Sequence, residues 1–257
     1  MSKSNIVAII PAAGRGSRLA PFPCPKELFP VGYQKINIKG EIQNRPKVVS
    51  QYLVEDLAKA GAQRIFFILG EGKSDIMRYY GDGQRFGTNI SYLYQEELRG
   101  MPNAIDLFRP WADDVTVLFG MPDTIVEPHN SYQQLLAFHN AEKADLTLGL
   151  FRTNNPTKFG MVDIDESNNV TYTIDKPLKS NLQYMWGTAC WSQGFTKLLG
   201  EFLSKASFNG NETVLGDVFN YALEKKLTVK GLVFENGKYI DIGTTDELNQ
   251  ALKQFHL

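Results

Sequence analysis

The sequence predicts an α/β fold, a Rossmann-like, mostly parallel mixed sheet flanked by helices. Three observations predict it. Short apolar runs rich in β-branched and aromatic residues fall at 5–10, 65–69, 90–94, 115–119 and 145–151. Helical patterns lie between most of them, as at 48–60 and 131–143. The first run passes directly into a glycine turn at Gly14 and Gly16. Strands that alternate with helices imply crossover connections and hence parallel pairing.

In chain order, 5–10 is a buried strand and the turn after it carries Arg18 and Lys26. Gly14 and Gly16 permit backbone angles and a close approach that a Cβ would block, so bare amides can face phosphate oxygens. A dinucleotide fingerprint would need a glycine where Leu19 stands. Instead Pro21, Pro23 and Pro25 hold an extended loop that can return Lys26 to the turn. Gly72-Lys73-Ser74 ends like a Walker loop, but Phe67 occupies the place of its first glycine, so it reads as a surface loop. The helix at 48–60 repeats apolar residues every three or four positions and stops at Gly61, and a helix at 73–80 stops at Gly81. Beyond residue 150 a hairpin is expected within 161–175, turning at Asn168-Asn169. With no repeat or flexible linker, one domain over 1–257 is expected, about 1–150 for nucleotide and about 151–257 for its acceptor.

Composition narrows the function. A formal net charge of −1 argues against a broad nucleic-acid footprint, so any phosphate affinity must be local. No apolar run reaches the roughly 18 residues of a membrane span, and the N-terminus does not read as a signal peptide. Cys24 and Cys190 suggest neither a disulfide framework nor a zinc site, and fit a reducing cytoplasm. His129, His139 and His256 lack metal-ligand spacing and read as surface or packing residues, while Trp111, Trp186 and Trp191 read as core or rim residues that could also stack on a ligand.

The segment from Ala13, Gly14, Gly16, Ser17 and Arg18 through Pro25-Lys26-Glu27 resembles the signature of the sugar-1-phosphate nucleotidylyltransferases, G-x-G-S/T-R-L/F-x-P followed by P-K-x-L/M-x-P. It is most similar to uridylyl- and thymidylyltransferases acting on glucose 1-phosphate. The resemblance implies NMP transfer from an NTP, UTP or dTTP, to a sugar 1-phosphate, with Mg²⁺ as cofactor. Two anionic reactants must be neutralised and aligned, which calls for lysines, arginines and metal-binding carboxylates.

Asp123 follows the apolar run 115–119, at the strand end where open α/β sheets bind ligands, and is expected to hold metal. Thr124 stands where relatives often carry a second acid. By resemblance to W-x-D-x-G-T-P, Asp241 is the second metal ligand. Asp175-Lys176-Pro177 is similar to E-K-P, which assigns Lys176 to the sugar phosphate and Asp175, one methylene shorter than the family's glutamate, to the sugar. Pro156 to Val162 resembles P-x-x-F/Y-G-x-V/I and makes Gly160 a sugar-side residue, with Gly187 a further candidate. Gln95 and Gly100 resemble the base-pocket segment Q-x-x-x-x-G-L/T; the Gln95 amide can both donate to and accept from a pyrimidine, or be an exposed strand-end residue.

The segment 33–46 departs from the family's short link as an apparent insertion. A CTP-using cytidylyltransferase and a non-catalytic sugar-nucleotide binder remain alternatives. A homo-oligomer is also open, since family members often form dimers or tetramers. The chain end soon after Asp241 leads to the expectation of a core enzyme without an appended acyltransferase or β-helix domain.

Overall fold

The computed structural model describes residues 5–205 and 212–255, so His256 lies outside the described residues. The elements follow in the order β1 (Asn5–Ala12), β2 (Pro30–Ile38), β3 (Glu41–Val48), α1 (Val49–Lys59), β4 (Arg64–Leu69), α2 (Ser74–Tyr80) and β5 (Asn89–Tyr94). Next come α3 (Met101–Asp106), β6 (Val115–Phe119), β7 (Thr124–Glu127), α4 (Ser131–Glu142) and β8 (Leu146–Arg152). The chain continues through β9 (Gly160–Ile164), β10 (Val170–Asp175), β11 (Tyr184–Trp191), α5 (Gln193–Lys205), α6 (Leu215–Glu224), β12 (Val229–Val233), β13 (Lys238–Asp241) and α7 (Thr245–Phe255).

A nine-stranded sheet runs β10-β9-β11-β6-β1-β4-β5, with β8 also paired to β11 and β12 paired to β8. Pairing is parallel through β6, β1, β4 and β5. It becomes antiparallel where β11 meets β6, β8 and β9. The sheet is therefore mixed, as expected: the first half of the chain supplies the parallel run, and β12 adds a parallel pair with β8.

The central parallel strands β1, β4 and β6 are buried on both faces, which is why each appears in the sequence as a continuous apolar run, whereas β5 at the sheet edge is only partly buried. On β1, Val7 and Ile9 enter one core with Phe66, Val117, Phe119, Trp191 and Phe219. Ala8 and Ile10 point the opposite way, into a second core with Leu53, Leu57, Ile65, Phe67 and Leu118. This alternation follows from the two-residue period of a strand. Full burial of a side chain such as Ile9 or Phe67 contributes roughly 1.5–3 kcal/mol.

The local stops operate as their residues require. Gly81, at φ +57°, donates its N–H to Met77 O at 2.9 Å and ends α2. Asn168, at φ +59°, turns the chain between β9 and β10. Residues 33–46 form most of a separate antiparallel hairpin, β2 with β3, on which Tyr33, Ile36 and Ile42 are exposed. Two expectations for packing residues also resolve. His139 is buried, with Nδ1 2.9 Å from Thr147 Oγ1, and burial pulls its pKa down to about 4. Trp191 is buried in the core, whereas Trp111 is exposed.

The reading of Gly72-Lys73-Ser74 as a surface loop needs correction at its central residue. Gly72 and Ser74 are exposed, but Lys73 is only 5 % exposed and pairs with Glu27. A buried acid contributed by a distant loop holds the ammonium inside, and nothing in the local sequence announces that partner.

Candidate active site

Two cavities adjoin at the C-terminal ends of β1 and β6. The first is lined by Pro11, Ala13, Gly14, Glu27, Gln95, Leu98, Gly100, Pro122 and Glu212, among others. The second is lined by Arg18, Lys158, Phe159, Gly160, Asp175, Lys176, Trp186, Tyr239 and Asp241, with Thr124. Lys26, Met101, Met121 and Asp123 belong to both walls and form the junction.

Lys26 reaches it because the proline loop folds back over the glycine turn. A Cβ built on Gly16, whose φ is +66°, would stand 3.6 Å from Lys26 Cδ. At Gly14 the same construction meets no protein atom within 4 Å. Packing alone therefore does not demand glycine there, and the open backbone is available to a ligand. Arg18 passes close to Gly243, within 3.1 Å of where a Cβ there would sit. Ser17 is exposed on the turn, outside the linings of both cavities.

Asp123 and Asp241 are brought together by strand register. β7 pairs antiparallel with β13, setting Thr124 opposite Asp241, and Ile242 N–H donates to Asp123 O at 3.0 Å. Gly243 N–H donates to Asp241 Oδ1 at 2.7 Å, orienting that carboxylate. Burial, then repulsion from Asp123, raises the Asp241 pKa. Lys26 Nζ forms a short ion pair with Asp123 Oδ2. Burial opposes its charge, but the attraction of Asp123 and of Glu27 and Asp241 beyond it prevails and raises its pKa.

Among the described residues, no group of three or more His, Cys, Asp or Glu side chains is arranged to hold a metal ion. Two mutually repelling carboxylates still fit a hard cation that takes its other ligands from substrate phosphate and water, the usual manner for Mg²⁺.

The residues expected on the base side and on the acceptor side divide between the two cavities. Gln95 is 7 % exposed and lines the first, so it is a buried amide rather than an exposed strand end. Gly100, at φ +99°, lies against Thr213, where a Cβ would come within 2.4 Å of the Thr213 carbonyl oxygen. On the other side, Gly160 leaves room for Trp186, whose Nε1 would be 2.2 Å from an added Cβ. Lys176, at φ +44°, keeps an exposed side chain with Nζ 3.5 Å from Asp175 Oδ2.

Gly187 is placed behind the cavity, where its missing Cβ makes room for Tyr239. Sequence reasoning left several lining residues unassigned, among them Lys158, Glu212 and Trp186. Lys158 precedes the recognised Phe159-Gly160 pair and joins Glu247 of α7 in an ion pair. Glu212 had no local signal and enters through the bridge between Gly100 and Thr213. Trp186, which from the sequence reads as a core or rim aromatic, packs on Phe119 and Phe219, and its other edge lines the second cavity.

A glycine turn, a junction lysine and two convergent acids thus stand together at the strand ends. The chain belongs to the nucleotidyl transferase family, whose model matches residues 7–256. It is 31% identical over 172 residues to a low-salt glycan biosynthesis nucleotidyltransferase of Haloferax volcanii, covering 66% of this chain and 44% of that protein. It is 27% identical over 174 residues to a glucose-1-phosphate thymidylyltransferase of Streptomyces griseus, again covering 66% and 44%. A mannose-1-phosphate guanylyltransferase of Mycobacterium tuberculosis is 26% identical over 179 residues, covering 68% and 45%. The matched region thus spans less than half the length of these relatives. A Bacillus anthracis protein described as a glucose-1-phosphate thymidylyltransferase, solved with sucrose, shares the fold with a TM-score of 0.83 at 21% identity, covering 97% of this chain and 95% of that one.

Proposed function

We propose that this chain transfers NMP from an NTP, UTP or dTTP, to a sugar 1-phosphate, with glucose 1-phosphate the leading acceptor, releasing pyrophosphate. The observation that carries the reading is the junction: Lys26 and Asp123 stand in the shared wall of two cavities, one beside the glycine turn and one beside Lys176. Family membership supports the reaction class, and relatives with thymidylyl and guanylyl activities in their names leave the base to experiment.

In this reading an oxygen of the acceptor phosphate attacks the α-phosphorus. A P–O bond forms as the bond from the α-phosphorus to the bridging oxygen breaks, and pyrophosphate leaves with that electron pair. The acceptor oxygen is already ionised, so no protein base is needed. Lys26 neutralises charge at the reacting phosphate, Arg18 steadies the triphosphate, and Lys176, with Lys158 nearby, receives the acceptor phosphate. Amides of the turn from Ala13 through Gly14 and Gly16 to Ser17 take the outer phosphates, and Gln95 and Gly100 take the base. Gly160 and Asp175 line the sugar's side. Gly187 acts one layer back by seating Tyr239. Mg²⁺ held by Asp123 and Asp241 would supply further charge neutralisation.

Among the described residues, no helix is long and apolar enough to cross a membrane. The unpaired thiols Cys24 and Cys190 favour a reducing cytoplasm as the setting. Pyrophosphate release from UTP, dTTP, CTP, ATP and GTP against a panel of sugar 1-phosphates, with Mg²⁺ and with chelator, tests the reading. Metal-dependent release with glucose 1-phosphate and one pyrimidine nucleotide is expected. Nucleotide binding without release under any pairing would overturn catalysis in favour of a sugar-nucleotide binder.

A further inference from the structure

Directly beside Lys26 lies an ion pair that the chemistry above does not use. Lys73 Nζ donates to both oxygens of Glu27, at 2.9 and 2.8 Å, and the two residues are 5 % and 1 % exposed. Glu27 follows Lys26 in sequence and lines the nucleotide cavity. Lys73 lines a different cavity, which also contains Arg15, Gly16 and Lys26. The pair therefore ties the β4–α2 connection to the loop that presents the junction lysine.

That loop is held from other directions as well. Ser50 Oγ donates to Glu27 O at 2.6 Å and lies 2.6 Å from Tyr80 Oη. Val49 N–H donates to Phe29 O at 3.0 Å. These bonds anchor the backbone to α1 and α2, whereas the Glu27–Lys73 pair is the charged, bidentate brace at the residue next to Lys26.

Stability alone does not account for such a brace. Desolvating two charges costs several kcal/mol each, and apolar side chains of similar volume often serve equally well or better. A fixed bidentate geometry can instead specify one loop position. Alignment at a phosphoryl-transfer centre is sensitive to it, since a misplacement near 1 Å can cost about 100-fold in rate. We propose that Glu27 and Lys73 are positioning residues that hold Lys26 at the reacting phosphate. This inference rests on the reading of Lys26 as a phosphate-binding group.

The test compares Glu27→Leu/Lys73→Met with wild type and with Lys26→Ala, following thermal unfolding and the kcat and nucleotide KM of pyrophosphate release. The apolar replacement should unfold at or above the wild-type temperature. Its kcat should nevertheless fall about 100-fold, with nucleotide KM within about threefold. Near-wild-type kcat in this variant, with Lys26→Ala inactive, would show that the pair is only structural and overturn the proposal. Near-wild-type turnover by Lys26→Ala would instead overturn the reading on which it rests. Should the double variant not fold, Lys73→Arg is compared with Lys73→Met. Recovery to within about tenfold of wild-type kcat by arginine alone supports a positioning brace, and equal loss in both overturns it.

Discussion

The two sides of the cleft are built to different standards of rigidity. On the nucleotide side Lys26 is paired with Asp123, and the next residue is braced by a buried lysine. On the acceptor side Lys176 has 59% of its side chain exposed and meets Asp175 only at 3.5 Å. The first lysine is preorganised, while the second retains rotamer freedom that it would give up on binding an acceptor. Preorganised charge acts mainly on the transition state, and a flexible cation acts mainly on substrate capture.

Breaking the rigid side should have the largest effect. Lys26→Ala is expected to lower kcat about 1,000-fold, while Lys176→Ala raises acceptor KM roughly 10- to 100-fold with a smaller change in kcat. Steady-state kinetics in both substrates separates the two patterns, and identical patterns would end the comparison. The exposed Lys176 pair should leave stability within about 0.5 kcal/mol.

At the junction, Asp241→Asn should reduce turnover at least about 100-fold while raising the unfolding temperature at pH 7. Burial and the neighbouring Asp123 raise the Asp241 pKa, so its ionised form is less favourable folded than unfolded. Asparagine removes that penalty and can still accept from Gly243. Calorimetry alongside the pyrophosphate assay would detect the opposed changes, and a lower unfolding temperature would refute the electrostatic account.

The comparison is sharpened by Gly160→Ala. The new Cβ would displace Trp186 at the acceptor wall and should raise acceptor KM about tenfold, leaving nucleotide KM within about twofold. Equal changes in both constants would mean that the two cavities are not independent.

The smallest effect on turnover is expected far from the cleft, at His139. Its folded pKa of about 4 is below the usual value of 6.5, so the neutral form is preferred in the folded protein. Its contribution is complete above the unfolded pKa and is lost as pH falls from 6.5 toward 4. Between pH 8 and pH 5 about 2 kcal/mol of stability should disappear. Denaturant unfolding of wild type and His139→Gln would show it, because the substitution should remove that part of the pH dependence.

The central parallel strands were legible because both of their faces are buried. The runs 65–69 and 115–119 correspond to β4, Arg64–Leu69, and β6, Val115–Phe119. Gly81 and Asn168 likewise marked real chain reversals through their backbone freedom. Lys73 was not legible, since its burial depends on Glu27 arriving from another loop. Glu212 and Lys158 were missed for the same reason: their places in the cavities are set by distant partners, Thr213 against Gly100 and Glu247 of α7.

By itself the sequence determined the α/β pattern, the glycine turn after the first strand and the residue types at its motifs, because hydrophobic period, proline and glycine act over a few neighbouring residues. Only the tertiary structure decided that Asp241 stands beside Asp123, that Lys26 closes the junction and that Gly187 serves a layer behind it. Those outcomes depend on strand register between β7 and β13 and on the packing of Tyr239. Register is a long-range choice, made by the pairing that best buries the whole sheet rather than by the residues it happens to bring together.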